Sequence, residues 1–194
     1  MRIVTLLISL LFYSPTHDSK LVEVRKSEVK KEVKKVLPQK NIIIGDSQSP
    51  FVDWGSADFN LISTVGGQGS LWLGGKTLGW LLEAVKVYPG DTTVTGVAIV
   101  VGTNGGFNKS DKISELVTEC KLKFPNSKFY VVQGSWGWGG VSNKTEKQVR
   151  DYYLKFAELG VQVVEPPIGR IEPHGRKPIY KIIGKNLDSL VKIN

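Results

Sequence analysis

Residues Asn41 to Ser49 read NIIIGDSQS, a short apolar run that stops at Gly45 and delivers Asp46 and Ser47 at its end. Such a run reads as a strand. Ligands of open α/β sheets bind in the crevice outside the carboxyl ends of the strands, so a serine here is well placed to be a nucleophile. The same residues also suit a helix N-cap, with Asp or Ser accepting from the first free backbone N–H groups. The stretch by itself leaves both readings open.

Working outward, the chain alternates in the α/β manner. Strands are expected at about 41–45, 61–65, 94–101, 128–133 and 161–164, and helices at about 70–87, 110–123, 143–159 and 178–191. VAIVV and KFYVVQ are continuous apolar runs, as expected of parallel strands covered by helices on both faces. The expected fold is a three-layer α/β/α sandwich around a parallel, flavodoxin-like sheet, formed by residues 41–194. At 41% hydrophobic and 23% charged, the composition is that of an ordinary globular fold.

Three further segments follow Ser47 in order: Gly67-Gln68-Gly69-Ser70, VAIVVGTN ending at Asn104, and EPHGRKPIYKIIGKNL around His174. In this order and spacing the four segments resemble the blocks of the SGNH, or GDSL, hydrolase family, which supply a serine, a glycine, an asparagine and a histidine. The resemblance spans residues 41–194 and implies a serine esterase that works without a metal or other cofactor. In the family, the last block has an aromatic residue six positions after its histidine, opening the final helix. Here Tyr180 holds that place.

Acyl transfer by serine needs a base, donors for the oxyanion and a group that orients the base. The chain has only two histidines, and His17 lies in the N-terminal segment, so His174 is the one imidazole residues 41–194 can offer. The resemblance assigns the oxyanion to the backbone N–H of Ser47, the backbone N–H of Gly69 and the side-chain amide of Asn104; Gly67 is the next match for the glycine. The family usually places aspartate three residues before its histidine, where this chain has Ile171. Glu172, two before His174, faces the same way if the segment is extended, as Pro173 favours. A backbone carbonyl holding the imidazole, with a Ser-His dyad, is the alternative. The sideways reach demanded of Glu172 tilts the sequence reading toward the carbonyl.

Residues 134–140 read GSWGWGG and follow the fourth expected strand, on the sheet edge that carries Ser47. Trp136 and Trp138 are therefore expected on a loop near the pocket as substrate-binding residues, since exposed aromatic faces suit sugar rings or acyl groups. The competing reading folds one of them back over the core. Residues 69–77, GSLWLGGKT, come close to the phosphate loop G-x-x-x-x-G-K-[ST], but Ser70 stands where that motif needs glycine. Leu71, Leu73, Leu78, Leu81 and Leu82 instead suggest a helix already under way.

Residues 1–19 hold Met1-Arg2 and the apolar stretch IVTLLISLLFY. That stretch has the length of a secretory signal core and falls short of the about 20 residues that span a bilayer. Between Lys20 and Lys40 stand eight basic and three acidic residues, most of the chain's net charge of +8. This segment reads as a basic tether or helix, with Val22, Val29 and Val36 at heptad spacing, able to rest on an anionic surface. The small excess left on residues 41–194, without a basic-aromatic stripe, argues against a nucleic-acid partner. The lone Cys120 makes no internal disulfide and sits in a helical pattern as a small apolar residue. Together these features favour a secreted or cell-envelope esterase acting on an O-acetyl group of a glycan, or on a small ester. The alternatives are a noncatalytic glycan-binding or virion-type structural module, and an intracellular, cytoplasmic lipase or thioesterase.

Overall fold

The computed structural model describes residues 40–62, 71–166, 172 and 174–192. The expected signal segment 1–19, almost all of the tether 20–40, Gly67, Gly69, Ile171 and Pro173 lie outside the described residues.

The elements run β1 (Lys40–Gly45), α1 (Ser49–Gly55), β2 (Asn60–Leu61), α2 (Leu78–Val87), β3 (Val94–Val100), α3 (Ile113–Lys123), β4 (Lys128–Val132), α4 (Glu146–Glu158), β5 (Gln162–Val164) and α5 (Lys177–Lys192). All strand pairs are parallel, in the order β2-β1-β3-β4-β5. This is the flavodoxin-like order, whose switch point lies between β1 and β3.

Alternate residues of each strand feed two separate cores. Ile42, Ile44, Val97, Ile99 and Val131 pack with α2, α3 and α4, while Ile43, Ala98, Val100, Tyr130 and Val132 pack with α1 and α5. Period-two alternation sends neighbouring side chains to opposite faces, so a wholly apolar strand serves both layers. Buried Cys120 belongs to the first core, and burial pushes its thiol up to about 12.

The helices follow their local chemistry. α4 opens with a capping box: the Thr145 hydroxyl accepts from the Gln148 N–H at 3.3 Å, and Gln148 Oε1 accepts from the Thr145 N–H at 3.0 Å. α5 buries Ile179, Tyr180, Ile183 and Leu187, one face at helical spacing. Against it lies α1, so close that a Cβ on Gly184 would stand 2.1 Å from the Gly55 carbonyl. The buried Asp188 carboxylate ties the exit of α1 to α5, accepting from the Ser56 hydroxyl and, at 2.8 Å, from the Ala57 N–H.

Two expectations are corrected here. The helix expected from residue 70 starts only at Leu78, because Leu71–Leu73 extend the sheet edge: Gly45 N–H donates to the Leu71 carbonyl at 2.8 Å and Leu73 N–H to the Gly45 carbonyl at 3.0 Å. Gly75, at φ +72°, then turns the chain before α2. In addition a helix, α1 (SPFVDWG), follows the GDSQ turn, where the sequence reading assigns no helix range and offers only the N-cap alternative.

Candidate active site

Every group of the site leaves the carboxyl end of a strand, or comes from the segment entering α5. Gly45 ends β1 at φ +140°, where a Cβ would meet the Val100 carbonyl oxygen at 2.0 Å. Only glycine fits there, and the chain turns at once into Asp46 and Ser47. Asp46 organises the turn: its N–H donates to the Val100 carbonyl at 2.9 Å and its Oδ1 accepts from the Gln48 N–H at 2.9 Å. At 1% exposed, Asp46 has its carboxyl pushed up to about 6. Burial is the chief cause, and the Gln48 N–H, the charge of His174 and the Asn104 side chain oppose it.

Ser47 Oγ lies 3.3 Å from His174 Nε2, and His174 Nδ1 lies 2.8 Å from Glu172 Oε1. Ser47, His174 and Glu172 thus form a continuous relay across 127 residues of chain. The sideways reach of Glu172, which tilts the sequence reading toward a backbone carbonyl, is made in the structure. His174 is 33% and Glu172 49% exposed, so the relay runs along the rim. Ser49 is fully buried, which leaves Ser47 as the accessible serine of the GDSQS stretch.

Asn104 follows β3, and its side chain lies close enough to the Asp46 carboxyl to act on it as a hydrogen-bond donor, opposing the effect of burial. Since a carboxylate only accepts, the amide NH2 is directed at Asp46. The structure thus brings Ser47, Asn104, His174 and Glu172 together; Gly69 lies outside the described residues.

The two tryptophans part company. Trp138 is half-buried, donates from Nε1 to Ser135 Oγ at 2.9 Å and sets its ring edge-on to His174 at 5.5 Å between centroids. Trp136 is corrected: at 7% exposed it belongs to the core under α4 rather than to an open loop. Burying so large an apolar side chain outweighs leaving it to solvent.

Two contributors, Phe51 and Gln48, have no role in the sequence reading. Phe51 of α1 meets the imidazole edge-on at 6.0 Å and stacks on Tyr180 at 5.1 Å. Gln48 bridges the loop after β3 and α5, donating to Thr103 Oγ1 at 3.2 Å and accepting from the Tyr180 hydroxyl at 3.4 Å. Asp46 was noticed only as part of the serine motif. A helix starting at Ser49 would have placed Phe51 near the site, but its Pro50 was not read as a first-turn proline.

Among the described residues, no group of three or more His, Cys, Asp and Glu is placed to hold a metal ion, and no helix is long and apolar enough to cross a membrane.

No protein-family model and no curated protein matches the chain by sequence. Solved structures do match. A member of the lipolytic protein G-D-S-L family from Veillonella parvula superposes with a TM-score of 0.52 at 13% identity, covering 79% of this chain and 98% of that one. The catalytic domain of peptidoglycan O-acetyltransferase A from Streptococcus pneumoniae gives 0.53 at 13% identity, over 81% and 94%. A carbohydrate esterase family 2 enzyme with a carbohydrate-binding domain, from Corynascus, gives 0.55 at 13% identity, over 81% and 66%. At such identities the likeness concerns architecture, and the chain has the three-layer α/β fold of the G-D-S-L, or SGNH, hydrolases.

Proposed function

We propose that the chain is a serine esterase that removes an O-acetyl group from an extracellular or cell-surface glycan. The observation that carries this reading is the relay from Ser47 Oγ through His174 to Glu172, at 3.3 and 2.8 Å, on the carboxyl edge of the sheet. His174 Nε2 takes the Ser47 proton as Oγ bonds to the ester carbonyl carbon. The intermediate then collapses, the sugar oxygen leaves with that proton, and the acyl group stays on Ser47. Water, deprotonated by the same imidazole, releases acetate and restores the serine. The 3.3 Å approach is of the kind that tightens when substrate binds.

Glu172 accepts from Nδ1–H, holds the tautomer that leaves Nε2 free, and stabilises the imidazolium. The Asp46 carboxylate accepts from one amide N–H of Asn104, and the second amide N–H, with the backbone N–H groups of Ser47 and Gly69, donates to the oxyanion. Trp138 beside His174 offers an apolar surface to sugar or acyl group. A peptidoglycan O-acetyltransferase domain and a carbohydrate esterase on the same fold support an acylated glycan as substrate. The apolar segment 1–19 and the basic segment 20–40 support a secreted or envelope location.

The test is turnover of a small acetyl ester by the wild type and by Ser47→Ala, with an organophosphonate probe as label. Turnover should vanish in the variant and the probe should mark Ser47 alone. Unchanged turnover in Ser47→Ala, or a label elsewhere, overturns the reading.

A further inference from the structure

Beside the relay, a cavity of about 380 Å³ opens between the loop after β3 and the turn before α4. Its size lies within the roughly 300–1,000 Å³ of small-molecule sites. Asn104 and Trp138 line it, which makes it continuous with the groups around Ser47. Asn108, Asn143 and Lys144 complete its polar wall, and among the described residues neither Asp nor Glu lines it.

Lys144 is the one cation among the described residues of the lining. Its N–H donates to the Val141 carbonyl at 3.1 Å, which fixes the turn, and a Cβ on Gly106 would stand 3.5 Å from its Cε. The aliphatic stem therefore passes close to the Gly106 backbone, and Lys144 lines both this cavity and a neighbouring one that Asp151 and Lys155 also line. Lys147, one helical turn on, pairs with Asp151 at 2.7 Å, and Arg150 pairs with Glu146 and Glu165. Among the described residues Lys144 has no such carboxylate. A lysine without a carboxylate partner, lining a cavity with three amides and an indole, suits an anion supplied from outside.

We propose that this cavity binds a carboxylate-bearing sugar residue, with Lys144 as counter-ion to the carboxylate, so that the enzyme prefers esters on uronic-acid-type glycans. This rests on the esterase reading and names the substrate class of the same site. The asparagine amides match sugar hydroxyls, which both donate and accept, and Trp138 covers the ring. A single cation matches a monoanion, whereas phosphate groups are met by several cations or by rows of backbone N–H groups.

The experiment compares two methyl glycosides acetylated at the same ring position, a glucuronate and a glucose, by kcat/KM in low salt. The acid should be favoured by about three- to tenfold, the range of a partly exposed charged hydrogen bond, and added NaCl should erode the preference. In Lys144→Gln the ratio should fall to near one, and in Lys144→Glu below one. The ratio is read within each variant, so a general loss of activity cancels. A wild-type ratio of one or less, or a Lys144→Gln ratio equal to the wild type's, overturns the proposal. If the wild type cleaves neither glycoside, the esterase reading fails by itself. Calorimetry with unacetylated methyl glucuronide and methyl glucoside, on wild type and Lys144→Gln, then decides: Lys144-dependent preference for the acid supports the cavity's assignment, and its absence overturns it.

Discussion

Glu172 Oε1 and His174 Nδ1 meet at 2.8 Å although only one residue separates them. The contact sets a carboxylate on the imidazole, one position after the place where the resemblance expects an acid and Ile171 stands. Glu172→Gln should lower kcat by about 10²-fold or more, toward the ~10⁴ seen when a triad loses its acid. KM should hardly move, because the interaction strengthens only as the imidazolium forms. A nearly silent Glu172→Gln in steady-state kinetics would return the orienting role to a backbone carbonyl.

Asp46 links stability to pH in a direction opposite to most carboxylates. Its folded-state pKa, raised to about 6 from 3.8, makes the folded protein bind a proton that the unfolded chain gives up. Its contribution is therefore fully present below the unfolded value and lost as pH rises through about 6. The span is on the order of 3 kcal/mol. Thermal or urea unfolding between pH 4 and 7 should show this slope in the wild type and not in Asp46→Asn. The same variant sets two amides face to face at Asn104, so kcat should fall at least tenfold, toward the ~10²–10³ cost of an oxyanion donor.

The two loop tryptophans should separate cleanly. Trp136→Ala empties a core position and should destabilise the fold by about 3–5 kcal/mol, measured by urea titration. Trp138→Ala should leave a stabler protein than Trp136→Ala does, with KM for an acetylated sugar raised severalfold. Equal stability losses would refute the division.

Gly184→Ala tests the contact that seats α1 behind Ser47. The added methyl would stand 2.1 Å from Gly55, and prying two helices apart should cost about 1–3 kcal/mol or more. A Tm equal to the wild type's would show that α1 and α5 can part without penalty.

The parallel sheet and its four long helices were legible in the sequence because unbroken apolar runs and helical spacing report burial directly, and NIIIGDSQS, GTN and the block at His174 mark strand ends by their glycine and polar letters. α1 escaped because seven residues with one proline show too little period. The late start of α2 escaped because Leu71 and Leu73 suit a helix face as well as a sheet edge, and only pairing with Gly45 chooses between them. What the sequence by itself determined is which residues stand at the carboxyl edge of the sheet, since hydrophobic pattern sets strand ends. Only the tertiary structure decided that Glu172 reaches His174, that Asn104 lies beside Asp46, and that Trp136 is core while Trp138 meets the imidazole. Those outcomes depend on distances between side chains far apart in the chain or on competing burial, and local pattern carries neither.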